Sequence, residues 1–235
     1  MNEKRLKEFW DKEYKKPELF EISDGVSSDL QKFTRWAKKE YGDDVFRSDI
    51  TVLDAGCGNG RNLLWMNEGF RVRGFGYDIS EEAIKQAQAR ASKQKWGSKL
   101  TFITHSIGQD IPLPDESVDV VLDMMASHFL KEIERERYIK ELHRVLKPQG
   151  ILFFKSFYGK GDKHAQDLIK NESAGEHNAY IHPKMKVYEY VWTDEALNKA
   201  FGEQFILQHK ELSHQHNIRG KPNKRRSIVC YYEKR

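Results

Sequence analysis

From Val52 to Asn62 the chain reads Val-Leu-Asp-Ala-Gly-Cys-Gly-Asn-Gly-Arg-Asn. An acid, Asp54, closes an apolar run that begins at Ile50, and three glycines follow at alternate positions: Gly56, Gly58 and Gly60. Glycine lets backbone approach a ligand closely and adopt φ values that a Cβ forbids. A strand, a glycine loop and a helix in this order form the ligand-binding end of an open α/β sheet. A dinucleotide fingerprint is G-x-G-x-x-G, with a pyrophosphate on the helix N-terminus. This loop is G-x-G-x-G, and Arg61 stands at the last fingerprint position.

A second acid, Asp78, lies just past a stretch that reads as a short strand, Arg71 to Phe75, one helix and one strand after Asp54. A carboxylate there can accept two hydrogen bonds from a ribose diol, and its charge strengthens both. The competing role is a helix cap before Glu81 and Glu82. Ser80 fits that cap better, which leaves Asp78 for the diol. Two further segments stand out. One is Asp110-Ile-Pro-Leu-Pro-Asp-Glu-Ser-Val-Asp-Val-Val-Leu122, and the other is Arg144-Val-Leu-Lys-Pro-Gln-Gly150.

Taken together, Asp54-x-Gly56-x-Gly58-x-Gly60, Asp78 and these two segments resemble the class I S-adenosylmethionine-dependent methyltransferases over residues 50–156. Gln149 departs from the family's usual glycine, so that turn is expected to differ slightly. The resemblance implies a Rossmann-like, doubly wound, mostly parallel seven-stranded α/β sheet. Helices cover both faces, and an antiparallel C-terminal hairpin ends the sheet. The implied cofactor is S-adenosylmethionine, with S-adenosylhomocysteine as its product. Gly56, Cys57, Gly58 and Gly60 are then expected along its methionine and ribose side. Asp54 orients the loop and reaches the cofactor's amino group, or ties down the loop's backbone amides. Arg61 pairs with the cofactor carboxylate or faces solvent. Asp78 holds the ribose and Ile79 packs on the adenine. Many relatives carry an acid where Ile107 falls, so Ser106 and the Ile107 and Gly108 backbone are the expected replacements. Asp123 and His128 sit at and beyond the fourth strand, where donor methyl and acceptor meet. His128 is a candidate base or substrate contact, or a structural residue at a helix start.

A sulfonium is already an activated leaving group, so the protein mainly has to align the reactants and keep water out. A base is needed only where the nucleophile must lose a proton. The sequence therefore identifies the cofactor better than the reaction. A small-molecule acceptor is the leading expectation, with Tyr158, Tyr180 and His182 as its contacts. RNA or protein is the rival. Its support is Arg219, Lys221, Lys224, Arg225 and Arg226, which can bind phosphates or simply solvate a hairpin loop.

These residues need a scaffold. Strands are expected at about 50–54, 71–75, 100–104, 117–123, 150–156, 204–212 and 226–232, and helices at about 61–68, 80–95, 131–145 and 194–201. Strands alternating with helical patterns make a parallel sheet. Two amphipathic stretches precede them. The first spans 3–16 with Phe9, Trp10 and Tyr14 on one face; the second carries Leu30, Phe33, Trp36, Ala37 and Tyr41, with Ser27, Ser28 and Asp29 as candidate caps. The expected layout is one methyltransferase domain over 1–235. It comprises a helical cap (1–45), a cofactor-binding core (46–158), a loop-like substrate lid (159–192) and a C-terminal helix and hairpin (193–235). A tolerated surface insertion is the other reading of 159–192.

Composition narrows the class. The 235 residues are 32% charged, with formal net charge +4, which neither demands nor excludes nucleic acid. No apolar run approaches the roughly 18 residues of a membrane span, and two cysteines make no disulfide framework. A cytoplasmic location without membrane attachment is expected. No metal is expected, because His164, His177 and His182 fit no compact ligand spacing.

Overall fold

The computed structural model describes residues 3–213, 217–218, 221–222 and 225–235. Helices α1 (Glu3–Lys15) and α2 (Ser28–Tyr41) come first. Alternating units follow: β1 (Thr51–Ala55), α3 (Arg61–Phe70), β2 (Arg73–Asp78), α4 (Glu81–Ala91), β3 (Leu100–Thr104), β4 (Val118–Met124), α5 (Glu132–Val145) and β5 (Leu146–Phe157). Then come α6 (Lys163–Asn171), β6 (Ala179–Ile181), β7 (Tyr188–Tyr190), α7 (Asp194–Phe201) and β8 (Phe205–Ser213). Two-residue strands β9 (Asn217–Ile218) and β10 (Lys221–Pro222) precede β11 (Ser227–Lys234).

Seven strands form one sheet in the order β3-β2-β1-β4-β5-β11-β8. The pairs among β1 to β5 are parallel, whereas β11 runs antiparallel to both β5 and β8. This is the Rossmann-like sheet with its antiparallel C-terminal pair. The strand order reverses between β1 and β4, so the ends of β1, β2 and β4 open on one crevice, where α/β folds bind ligands.

Side-chain alternation builds the two layers. Ile151 and Phe153 of β5, with Val229 and Tyr231 of β11, pack on one face with Leu30, Phe33 and Ala37 of α2. Phe33 lies 5.1 Å from Phe153 and 5.0 Å from Tyr231, ring centre to centre. Leu152, Phe154, Ile228, Cys230 and Tyr232 turn to the other face, against α5 and α7. A strand buried on both faces cannot show polar alternation, and β5 has none from Ile151 to Ser156.

Three details differ from expectation. Strand β5 begins at Leu146, directly after α5, and Gln149 sits within it at φ +64°, a left-handed conformation that suits glycine. Asp29 does not cap α2. Ser27 occupies the cap position without a side-chain bond, and Asp29 instead receives the Lys155 ammonium at 2.6 Å, both side chains buried. Residues 159–192 are not a loop. The Asp162 carboxylate accepts from Ala165 N–H and starts α6, while β6 and β7 form a hairpin. Ala165, Leu168, Tyr180 and Val191 make a small core of their own. Ser80 caps α4 as expected, and the Thr193 hydroxyl caps α7.

Candidate active site

At the carboxyl ends of β1, β2 and β4 lies a cavity of about 330 Å³. Its floor is the glycine loop. Gly56 N–H and Cys57 N–H both donate to the Tyr77 carbonyl, at 2.7 and 2.9 Å, which ties the loop to β2. Gly58 N–H donates to Asp78 Oδ2 at 2.8 Å. Two glycines are irreplaceable on steric grounds. A Cβ on Gly56 would lie 2.2 Å from the Ala126 methyl carbon, and one on Gly58 would lie 2.1 Å from the Tyr14 hydroxyl. Both also have positive φ, +76° and +55°.

Helix α1 and the segment after it form the roof. Leu6, Trp10 and Tyr14, spaced four apart on one stripe, face the cavity. Asp11, on the adjoining face, accepts from Ser80 Oγ at 2.8 Å and Glu82 N–H at 3.2 Å, docking α1 on the start of α4. Those bonds and the Lys7 ammonium hold the Asp11 carboxyl below its usual range, against the opposing effect of its burial. Gln86 Nε2 donates to the Tyr14 carbonyl. Buried Glu13 accepts the N–H groups of Glu18, Leu19 and Phe20, folding residues 20–23 over the opening. Asn59 Nδ2 secures that segment through the Ser23 carbonyl at 3.3 Å.

Three buried carboxylates surround the loop. Burial pushes Asp54 up to about 7, with Asp78 adding to the shift. Burial likewise pushes Asp78 and Asp123 up to about 6. Asp78 is not free of structural duty: its two oxygens each take one backbone N–H, from Gly58 and from Ser80 at 2.8 Å. Each oxygen keeps a further lone pair for a diol. Asp54 Oδ2 has no hydrogen-bond partner among the described residues.

Gly56, Cys57, Gly58, Arg61, Asp78, Ile79, Ser106, Ile107 and His128 all line this one cavity. Asp54, Gly60, Gly108 and Asp123 do not. Asp54 is 1% exposed beneath the loop, and Gly60 caps α3. Gly108 N–H donates to the Ser106 hydroxyl oxygen at 3.3 Å, facing a neighbouring groove. Asp123 Oδ1 accepts the N–H groups of Ala126 and Ser127, so it shapes the turn after β4. Arg61 reaches the Gly25 carbonyl at 3.2 Å. His128 is buried against Phe129 and Phe157, with ring centres 4.0 and 4.8 Å away.

Tyr158, Tyr180 and His182 do not line the cavity either. Tyr158 is buried in the main core, and the Tyr180 hydroxyl is spent on Glu189 and Arg225. His182 Nδ1 accepts the N–H of Met185 at 3.2 Å, organising the β6–β7 turn; burial, then Arg225, lowers its pKa to about 4. From the same region, Phe157 and Glu189 face the cavity instead. Met124, Met125, Phe20 and Phe129 complete its apolar lining. Their apolar type is the one sequence signal they carried, and it does not separate a pocket wall from core.

The basic cluster is not a continuous surface. Arg225 is buried, between Asp162 Oδ2 at 3.3 Å and Glu189 Oε2 at 3.4 Å, with its guanidinium 4.0 Å over the Phe157 ring. Arg226 donates to the Lys160 carbonyl. Arg219 and Lys224 lie outside the described residues, as does the side chain of Lys221. Among the described residues no group of three or more His, Cys, Asp or Glu is placed to hold a metal ion. No helix there is long and apolar enough to cross a membrane.

Comparison with known proteins adds to this geometry. Residues 52–150 match the family model of a methyltransferase domain. The ajmaline N-methyltransferase of Rauvolfia serpentina is 33% identical over 108 residues, covering 45% of this chain and 35% of that protein. The tRNA N(3)-methylcytidine methyltransferase trm140 of Schizosaccharomyces pombe is 28% identical over 188 residues, 74% of this chain and 58% of that protein. The chain thus spans well under two thirds of either relative's length. A solved SAM-dependent methyltransferase of Methanosarcina mazei shares the fold, with TM-score 0.70 at 21% identity over 81% of this chain and 95% of that one. The glycine loop, the acid ending β2, the strand order and these likenesses agree: residues 52–150 carry a methyltransferase domain similar to those of the class I S-adenosylmethionine-dependent enzymes, whose cofactor is S-adenosylmethionine.

Proposed function

We propose that the protein transfers the methyl group of S-adenosylmethionine to a small-molecule acceptor bound in the roofed cavity. One observation carries the reading. A single cavity is lined by the glycine loop and Asp78, by a series of aromatic side chains, and by His128 and Glu189. A roof closed by α1 suits a small acceptor better than a polymer.

The residues present fit the cofactor. Gly58 keeps the loop bare of a side chain where it faces the Tyr14 hydroxyl and the cavity, and each Asp78 oxygen retains a lone pair beyond its one backbone bond. Gly56, Cys57 and Gly58 would hold the methionine and ribose side, Asp78 the ribose diol, and Ile79 with Ser106 and Ile107 the adenine. Asp54, beneath the loop, offers its unpartnered oxygen to the amino group through the loop or a water. The bound sulfonium supplies an activated methyl. The chain's own work is to position the acceptor and exclude water, and Trp10, Phe20 and Phe129 are placed to do the second. His128 orients the acceptor or takes its proton where it has one to lose.

The same reading takes 1–235 as one methyltransferase domain, with 1–45 as cap, 46–158 as cofactor core, 159–192 as acceptor wall and 193–235 as C-terminal helix and hairpin. Two buried free cysteines suit a reducing compartment, so the proposed location is the cytoplasm. An RNA acceptor is the second reading, favoured by the 74% of this chain that aligns with the tRNA methyltransferase.

One experiment tests both. Purified protein is given methyl-labelled S-adenosylmethionine and a cell extract, and small molecules, RNA and protein are then separated. Label among small molecules supports the leading reading, and label in RNA supports the second. Asp78→Ala serves as the site control. Losing one to two charge-assisted hydrogen bonds lowers cofactor affinity by about 10- to 100-fold. Unchanged affinity sinks the site assignment.

A further inference from the structure

The cavity holds a carboxylate built into the protein interior. Glu189, in β7, is 2% exposed yet lines the cavity. Its protein hydrogen bonds, from the Tyr180 hydroxyl and from Arg225 Nη1, both fall on Oε2. Oε1 remains for a ligand. Arg225 cannot serve Glu189 alone, because its Nε is also committed to Asp162 Oδ2. Two carboxylates therefore share this guanidinium. The single Lys or Arg lining the cavity, among the described residues, is Arg61, and it bonds the Gly25 carbonyl. An aromatic series lines the same cavity: Phe157 lies under Arg225 and 4.8 Å from the His128 ring, His128 is 4.0 Å from Phe129, and Trp10 sits 5.3 Å from Phe20 and 5.7 Å from Phe129.

A buried carboxylate costs several kcal/mol unless charge and hydrogen bonds offset it. A neutral hydroxyl can satisfy Oε1 but brings no charge. An ammonium does both, and aromatic faces favour a cation as well as an apolar body. We propose that Glu189 determines acceptor specificity, and that the acceptor is a small amine whose ammonium rests on Oε1 and whose apolar body lies among Trp10, Phe20 and Phe129. The inference rests on the methyltransferase reading and names the acceptor class of that same site. Burial raises the Glu189 pKa against the pull of Arg225, and a ligand cation works in the same direction as Arg225.

Two probes of similar shape and opposite charge decide it: phenethylamine and 3-phenylpropionate. Their affinities are read by calorimetry at pH 7.5, with and without S-adenosylhomocysteine. The wild type binds phenethylamine at least about tenfold more tightly. In Glu189→Gln, with folding checked by circular dichroism, the preference falls to within about twofold. Equal binding of the two probes to the wild type overturns the proposal, and so does a preference that survives the substitution. If Glu189→Gln does not fold, Glu189→Ala is read in its place, because Asp78 and Glu21 also line the cavity. Failure of S-adenosylhomocysteine to bind, with the amine preference intact, overturns the methyltransferase reading and leaves Glu189's recognition of amines supported.

Discussion

Asp54, Asp78 and Asp123 show what one buried acid does to its surroundings. Each has a folded-state pKa of about 6 to 7, against about 3.9 in an unfolded chain. The sign follows directly. Between those values the folded protein holds protons that the unfolded chain has released, so stability falls as pH rises from about 4 to 7. Asp54→Asn removes one such proton site. The variant should therefore gain on the wild type by about 2–4 kcal/mol between pH 4.5 and 7.5, read by urea unfolding of the ligand-free protein at each pH. A constant difference across that window would mean that Asp54 ionises normally. The glycine spacing and Asp78 pointed to residues that the structure does bring together at one cavity, because the tight loop and the acid ending β2 are fixed by local sequence. Tyr158, Tyr180 and His182 were misleading because a residue type carries no direction: each side chain turned to a structural partner. Arg225 was hidden in a basic run, since charge counts do not reveal burial.

At the scale of elements, the β–α units fell within a few residues of their expected bounds. Helical and strand periods differ sharply there, and Ser80 and Thr193 mark helix starts. Residues 159–192 read as irregular because glycines and charged residues break up their apolar positions. Yet Ala165, Leu168 and Ile169 follow Asp162 at helical spacing, and Asp162 is a cap. That signal was present but short. The β5 start was misjudged because Pro148 and Gln149 look like a turn. Gln149 keeps a left-handed backbone there at a cost of about 1 kcal/mol. Gln149→Gly relieves it, partly offset by glycine's larger unfolded-state entropy. The expected gain is about 0.5 kcal/mol or more in chemical unfolding, with methyl transfer unchanged; a loss of stability would show that the Gln149 side chain has a packing role.

Across the whole molecule, a buried ion pair between Lys155 and Asp29 joins β5 of the sheet to α2. Asp29→Leu alone strands the Lys155 ammonium and should cost about 3–5 kcal/mol. Combined with Lys155→Met, the cost should fall to within about 1 kcal/mol of the wild type. If the double variant were as unstable as the single, the bridge would be contributing more than its own desolvation takes away. The link between Asp162 and Arg225 spans 63 positions, and β5 takes its outer neighbour from the last strand, β11. This separation has a consequence for synthesis. The glycine loop, Asp78 and strands β1 to β4 can assemble while the ribosome is still elongating, since domains fold from the first residues made. The wall that carries Glu189 cannot be pinned until Arg225 emerges, more than thirty residues later. A nascent chain therefore acquires the glycine-loop side of its cavity well before the side that carries Glu189.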